Sequence, residues 1–155
     1  MKSIRTLVAA AAIAAVTVPA VGHIEQSEPI QSLRQSYFAL LGMTFGPMAD
    51  MVKGDIPWDD ATFQGWAKDL AAVSGFQVER GFSPGSEEGM TRAKPDIWLN
   101  TDDFNAKLQD FRREAGTLAE VAAGGDRGAI QTQFVATGKT CKACHDEYKS
   151  KDYLY

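Results

Sequence analysis

Cys141, Cys144 and His145 are the residues of this 155-residue chain best placed to do chemistry. The chain holds two cysteines and two histidines. The run Cys141-Lys142-Ala143-Cys144-His145 uses both cysteines and one histidine. The C-x-x-C-H spacing is that of c-type haem attachment. Two thiols add to the vinyl groups along one haem edge and form thioethers, and the adjoining imidazole supplies an axial nitrogen to the iron. On a helix the three residues stand at i, i+3 and i+4, so they leave one face together. Other uses of the pair fit less well. A C-x-x-C redox pair accompanies a βαβ pattern, and no strand-rich segment is present. A structural zinc site takes four ligands, and the second histidine, His23, lies at the far end of the chain. A plain disulfide would leave His145 without a role.

The elements that must hold this motif read as four helices. The first spans Glu25 to about Phe45, with Ile30, Leu33, Tyr37, Phe38 and Leu41 at helical spacing. Ser27 is its expected cap, and Gly46-Pro47 is expected to kink or end it. The second begins at Asp59 or Asp60 and runs to Ser74 before Gly75, with Phe63, Trp66, Leu70 and Val73 as its stripe. A long irregular stretch, Gln77 to Pro95, offers Thr91, Arg92 and Lys94 to the propionates of a haem that it would wrap. Thr101 is the expected cap of the third helix, whose Phe104, Leu108, Phe111, Ala115, Leu118 and Ala122 form a bundle seam. Asp126 caps the fourth, where Ile130, Phe134, Cys141, His145 and Tyr148 share one face. Four amphipathic helices without strand signals make an all-α protein, an antiparallel four-helix bundle with covalently attached haem near the C-terminal helix.

Lys2 and Arg5 precede the apolar run Leu7 to Val18, with small residues at Val18-Pro19-Ala20 and Ala20-Val21-Gly22. This pattern predicts a signal peptide over residues 1–22 and export to a bacterial periplasm. Residues 23–155 then form a single domain. That domain carries fourteen basic against twenty acidic residues, about −6 overall. This balance speaks against nucleic acid as a partner. No further apolar run is long enough to span a membrane.

A C-x-x-C-H motif in the last fifteen residues, on the fourth helix of a bundle, resembles the cytochrome c′ family, the class II cytochromes c. Supporting stretches are Arg34-Gln35, Phe45-Gly46-Pro47-Met48 with Val52-Lys53-Gly54, Ala93-Lys94-Pro95-Asp96-Ile97-Trp98, and Cys141 through Tyr148. The resemblance covers essentially all of residues 23–155. It implies one covalent haem c on Cys141 and Cys144, with His145 as the axial ligand of the iron. It places Arg34 and Gln35 at the propionates and Lys149 near the proximal pocket. It also places Phe38 on the distal face, where low-spin members carry a ligating methionine.

Phe38 cannot ligate, and Met43 lies five residues further on, about 140° around the helix. The expectation is therefore a five-coordinate, high-spin haem with an apolar distal face, serving electron transfer and binding of NO or CO rather than turnover. The alternatives are a six-coordinate low-spin electron carrier, using a methionine, a lysine or His23, and a peroxidase or NO-consuming haem enzyme. The resemblance further implies a homodimer formed through the first two helices, with Trp58 as an exposed aromatic candidate. An unidentified redox protein is the expected partner.

Overall fold

The computed structural model describes residues 29–153. The expected leader, the Ser27 cap and His23 lie outside the described residues. Helix α1 (Pro29–Lys53) and α2 (Asp60–Ser74) are followed by a 3-10 turn (Val78–Phe82). Then come the short α3 (Asp96–Leu99), α4 (Thr101–Gly124) and α5 (Arg127–Tyr148). The four long helices form the antiparallel bundle. α4 packs against both α2 and α5, and α2 packs against α1. An isolated antiparallel bridge, Ala93 to Lys149, is the one piece of β pairing among the described residues.

Several boundaries follow from local chemistry. Asp59 accepts a hydrogen bond from the Thr62 amide at 2.7 Å and so starts α2. Asp126 accepts from the amides of Gly128 and Ala129 at 2.9 and 3.0 Å and starts α5. Gly54 (φ 84°) and Gly125 (φ 76°) close α1 and α4 in the left-handed conformation that only glycine adopts freely.

Two boundary expectations are corrected. Of the two outcomes expected at Gly46-Pro47, an end to the helix does not occur, and the first helix continues to Lys53 with Pro47 inside it. Beyond the proline, Met48 and Met51 are buried in the core. Burying two such side chains is worth about 1.5–3 kcal/mol each, against about 3 kcal/mol for an interior proline. Thr101 is not a cap either. Asn100 holds the cap position without a side-chain bond. Thr101 instead turns its hydroxyl back to the carbonyls of Ile97 and Trp98, because α3 already occupies the preceding turn.

The core falls into two clusters. One, at the end where α1 meets α2 and α4 meets α5, gathers Met48, Phe63, Leu70, Leu118, Ile130 and Phe134 with their neighbours. Phe45 stacks on Phe134 there, with ring centroids 4.3 Å apart, so α1 and α5 touch. The other gathers Tyr37, Val78, Ile97, Phe104, Leu108 and Tyr148. At that end α1 and α5 face one another across a cavity.

Candidate haem site

α5 is fixed along its length before it reaches the motif. Thr137 donates to the Glu114 carbonyl at 3.2 Å, and Gln133 donates to the Glu114 carboxylate at 2.8 Å, so α5 is keyed to α4. At its C-terminus the Lys94 ammonium donates to the carbonyls of Asp146 and Glu147 at 3.3 and 2.8 Å. A cation on the last free carbonyls of a helix is where the helix dipole favours it. Lys94 is thus a helix clamp and does not line the cavity as the sequence suggested.

The cavity measures about 560 Å³. Cys141, Cys144 and His145 all line it, on one side, as i, i+3, i+4 spacing requires. Both cysteines are half-buried free thiols. Burial pushes both up, Cys144 to about 11, so both stand protonated at neutral pH. Desolvation, with the charges of Lys149 and Arg92, lowers His145. Its imidazole is kept neutral, the form whose lone pair binds metal. Apolar walls face the motif: Phe38, Leu41 and Phe45 from α1, and Phe104, Leu108 and Phe111 from α4. Among the described lining residues there is no aspartate or glutamate, whereas Arg34, Arg92, Lys107 and Lys149 all take part. A largely apolar space lined by two thiols and an imidazole, with basic but no acidic side chains among its described lining residues, fits a haem and its propionates.

Apart from Lys94, the structure brings the sequence-predicted site residues to this cavity: Arg34, Gln35, Phe38, Thr91, Arg92 and Lys149 line it with the motif. Their bonding differs from the expectation. Arg34 is buried, and one terminal nitrogen of its guanidinium donates to the carbonyls of Gly81 and Ser86 at 2.8 and 2.9 Å. The guanidinium also lies 4.9 Å from the Phe82 ring centroid, a cation–π distance. The approach is close enough that a Cβ on Gly81 would stand 3.0 Å from the Arg34 Cγ. Gln35 donates to the Met90 carbonyl at 3.2 Å. Thr91 accepts from the Ala93 amide at 3.1 Å, a local turn bond. Arg92 donates through Nε to the Ser150 carbonyl at 2.9 Å and through a terminal nitrogen to the Lys151 carbonyl.

Met43, Met48 and Met51 lie away from the site. Met48 and Met51 are buried in the other cluster, and Met43 is 71% exposed. None of them lines the cavity.

Among the lining residues not singled out in the sequence as site residues are Tyr148, Lys107 and Tyr153. Tyr148, read there only as part of the inner face, is buried and donates to Asp103 at 2.5 Å. Lys107 pairs with the same carboxylate at 3.3 Å. Tyr153 comes from the chain's end. A tyrosine five residues beyond the last helical position was a usable signal, whereas nothing marked Lys107. Trp58, expected to be exposed, is half-buried and stacks on Phe63 at 4.8 Å, with Arg127 over its ring at 4.6 Å. Ile30 and Leu33, which recur at helical spacing on the first helix, are about 40% exposed, while Gln31 and Arg34 on the neighbouring face are buried.

Comparison with known proteins agrees with this geometry. A family model described as cytochrome c′ matches residues 29–149. A cytochrome c′ of Cereibacter sphaeroides is 34% identical over 137 residues, covering 86% of this chain and 91% of the relative. A solved cytochrome c prime from Shewanella frigidimarina is 41% identical, with a TM-score of 0.73, over 76% of this chain and 91% of that one. A nitric oxide complex of a mutant cytochrome c prime from Alcaligenes xylosoxidans is 34% identical, with a TM-score of 0.73, over 81% and 96% of the two chains.

Proposed function

The chain belongs to the cytochrome c′ family, whose members bind one covalently attached c-type haem, and on that premise we propose that it is an exported, five-coordinate, high-spin haem protein that binds NO and CO and passes single electrons. Cys141 and Cys144 carry the thioethers, and His145 is the axial ligand. When bound, the haem supplies an iron that changes charge by one electron and accepts a diatomic gas.

The observation that carries this reading is the make-up of the cavity wall. His145 is its one histidine among the described residues, and no methionine lines it. Lys107 is paired with Asp103, and the Tyr148 hydroxyl is bonded to the same carboxylate. Opposite the motif stand Phe38, Leu41 and Phe45, none of which ligates or donates a hydrogen bond. Such a wall leaves one iron position open to small neutral molecules. It gives bound O₂ no hydrogen bond, so CO and NO are favoured. It also lacks the distal acid or base that peroxide cleavage uses. The nitric oxide complexes solved for relatives support extending gas binding to this chain. No helix among the described residues is long and apolar enough to cross a membrane. That agrees with a protein released into the periplasm after its leader is removed.

The test is an absorption spectrum of the ferrous holoprotein before and after CO. A shifted Soret band on adding CO supports the open site. Sharp low-spin bands indifferent to CO would replace it with the six-coordinate carrier.

A further inference from the structure

Arg92 was expected at the propionates, yet its guanidinium is spent on the chain's own end. The segment Lys149 to Tyr153 leaves α5 and doubles back along residues 91–94. Tyr148 accepts from the Lys94 amide at 3.0 Å, and the Ser150 amide donates to the Arg92 carbonyl at 2.8 Å. This is the isolated bridge between Ala93 and Lys149. The Arg92 side chain then reaches the next two carbonyls, donating to Ser150 at 2.9 Å and to Lys151. Two residues further on, Tyr153 lines the cavity from its solvent side, with 59% of its surface exposed. The strap starts at His145, because its first residue, Lys149, donates its amide to the His145 carbonyl at 3.2 Å. The family match ends at residue 149, so Ser150 to Tyr153 lies beyond it.

We propose that Arg92 is a positioning residue which latches the segment 150–153 across the His145 end of the cavity, so that Tyr153 screens the bound haem from water there. Its side chain acts on the haem through the strap. The physical consequence is electrostatic. Water at a haem edge stabilises the more highly charged ferric state, so burial is one of the controls on reduction potential. A latched strap makes the iron easier to reduce, and a released strap makes it harder. The guanidinium reaches the two adjacent carbonyls through separate nitrogens held in one rigid plane, a fixed fork that a lysine ammonium on its flexible stem does not reproduce. The inference rests on the haem reading above.

The test compares four holoproteins: wild type, Arg92→Gln, a chain ending at Ser150, and the two changes combined. Each is first shown to hold one covalent haem, so that failure of the haem reading is seen separately. Midpoint potentials are then measured. The strap account expects Arg92→Gln and the truncation each to shift the potential negative, and the combined protein to match the truncation alone. An additional shift from Arg92→Gln in the truncated chain would overturn the proposal, since Arg92 would then act on the haem directly. So would a truncation that leaves the potential unchanged. The single conservative variant Arg92→Lys is expected to recover only part of the shift.

Discussion

The two core clusters of this bundle are built on opposite plans. Around Met48, Phe63, Leu118 and Ile130 the helices meet directly, every one of these side chains is fully buried, and aromatic rings stack at 4.3 to 4.8 Å. Around Phe104, Leu108 and Tyr148 the same helices stand apart and leave about 560 Å³ between α1 and α5. That end is pinned by polar clasps. Arg112 donates to the carbonyls of Ser74 and Phe76 and forms a two-pronged pair with Glu79 at 3.0 and 2.6 Å. Arg34 ties α1 to the Gly81–Ser86 loop, and Tyr148 ties α5 to Asp103 on α4. Close packing of apolar side chains holds one end without help. At the other end hydrogen bonds hold the frame, and a bound group must complete the core.

The sharpest way to break the contrast is to remove the anchors. Replacing Cys141 and Cys144 together by serine is expected to abolish covalent haem. It should also loosen the cavity end selectively, and hydrogen exchange can check this. Amides around Phe104 and Tyr148 should lose protection, while those around Phe63 and Leu118 keep it. Uniform loss at both ends would remove the distinction.

Truncations within each cluster come next. Phe63→Ala should cost about 3–5 kcal/mol in denaturant unfolding, the usual toll of a cavity cut into a tight core. Phe38 is 40% exposed and already borders open space, so Phe38→Ala should cost less than about 1 kcal/mol.

A smaller effect belongs to the Arg112–Glu79 clasp. The hydrogen bonds from Arg112 hold the Glu79 carboxyl below its ordinary value of 4.5. Folded Glu79 therefore binds its proton less readily than unfolded Glu79. Its stabilisation is complete above that value and is lost as pH falls through the lower folded one. Glu79→Gln should flatten the acid limb of the stability–pH curve and cost about 1 kcal/mol at neutral pH. The smallest effect is expected at Met43. Since it is exposed and outside the cavity, Met43→Leu should leave the visible spectrum unchanged.

The tight end was the more legible in the sequence, for a physical reason. Its helices are specified by apolar period and by the Asp59 and Asp126 caps, all local signals. Phe104 through Ala122 reads as a seam, and the structure buries all six of its members. The motif was equally plain because its chemistry fixes both residue types and spacing. What stayed hidden depends on contacts distant in the chain. The burial of Arg34 is decided by a loop some fifty residues away, and the work of Arg92 by the end of the chain. Pro47 set the end of the first helix too early, because its backbone cost is offset by the burial of Met48 and Met51 beyond it. The exposure of Ile30 and Leu33 was not legible because an apolar stripe does not say whether it faces this chain's core or solvent.

The measurement closest to the centre of this account is CO affinity of the ferrous holoprotein compared with its Phe38→Ala variant. The account holds that the open position faces an aromatic wall, with no protein ligand behind it. Wild type should bind CO, and the variant should bind it about tenfold tighter, as relief of about 1.4 kcal/mol of crowding implies. Equal affinities, or a wild-type spectrum that ignores CO, would contradict it.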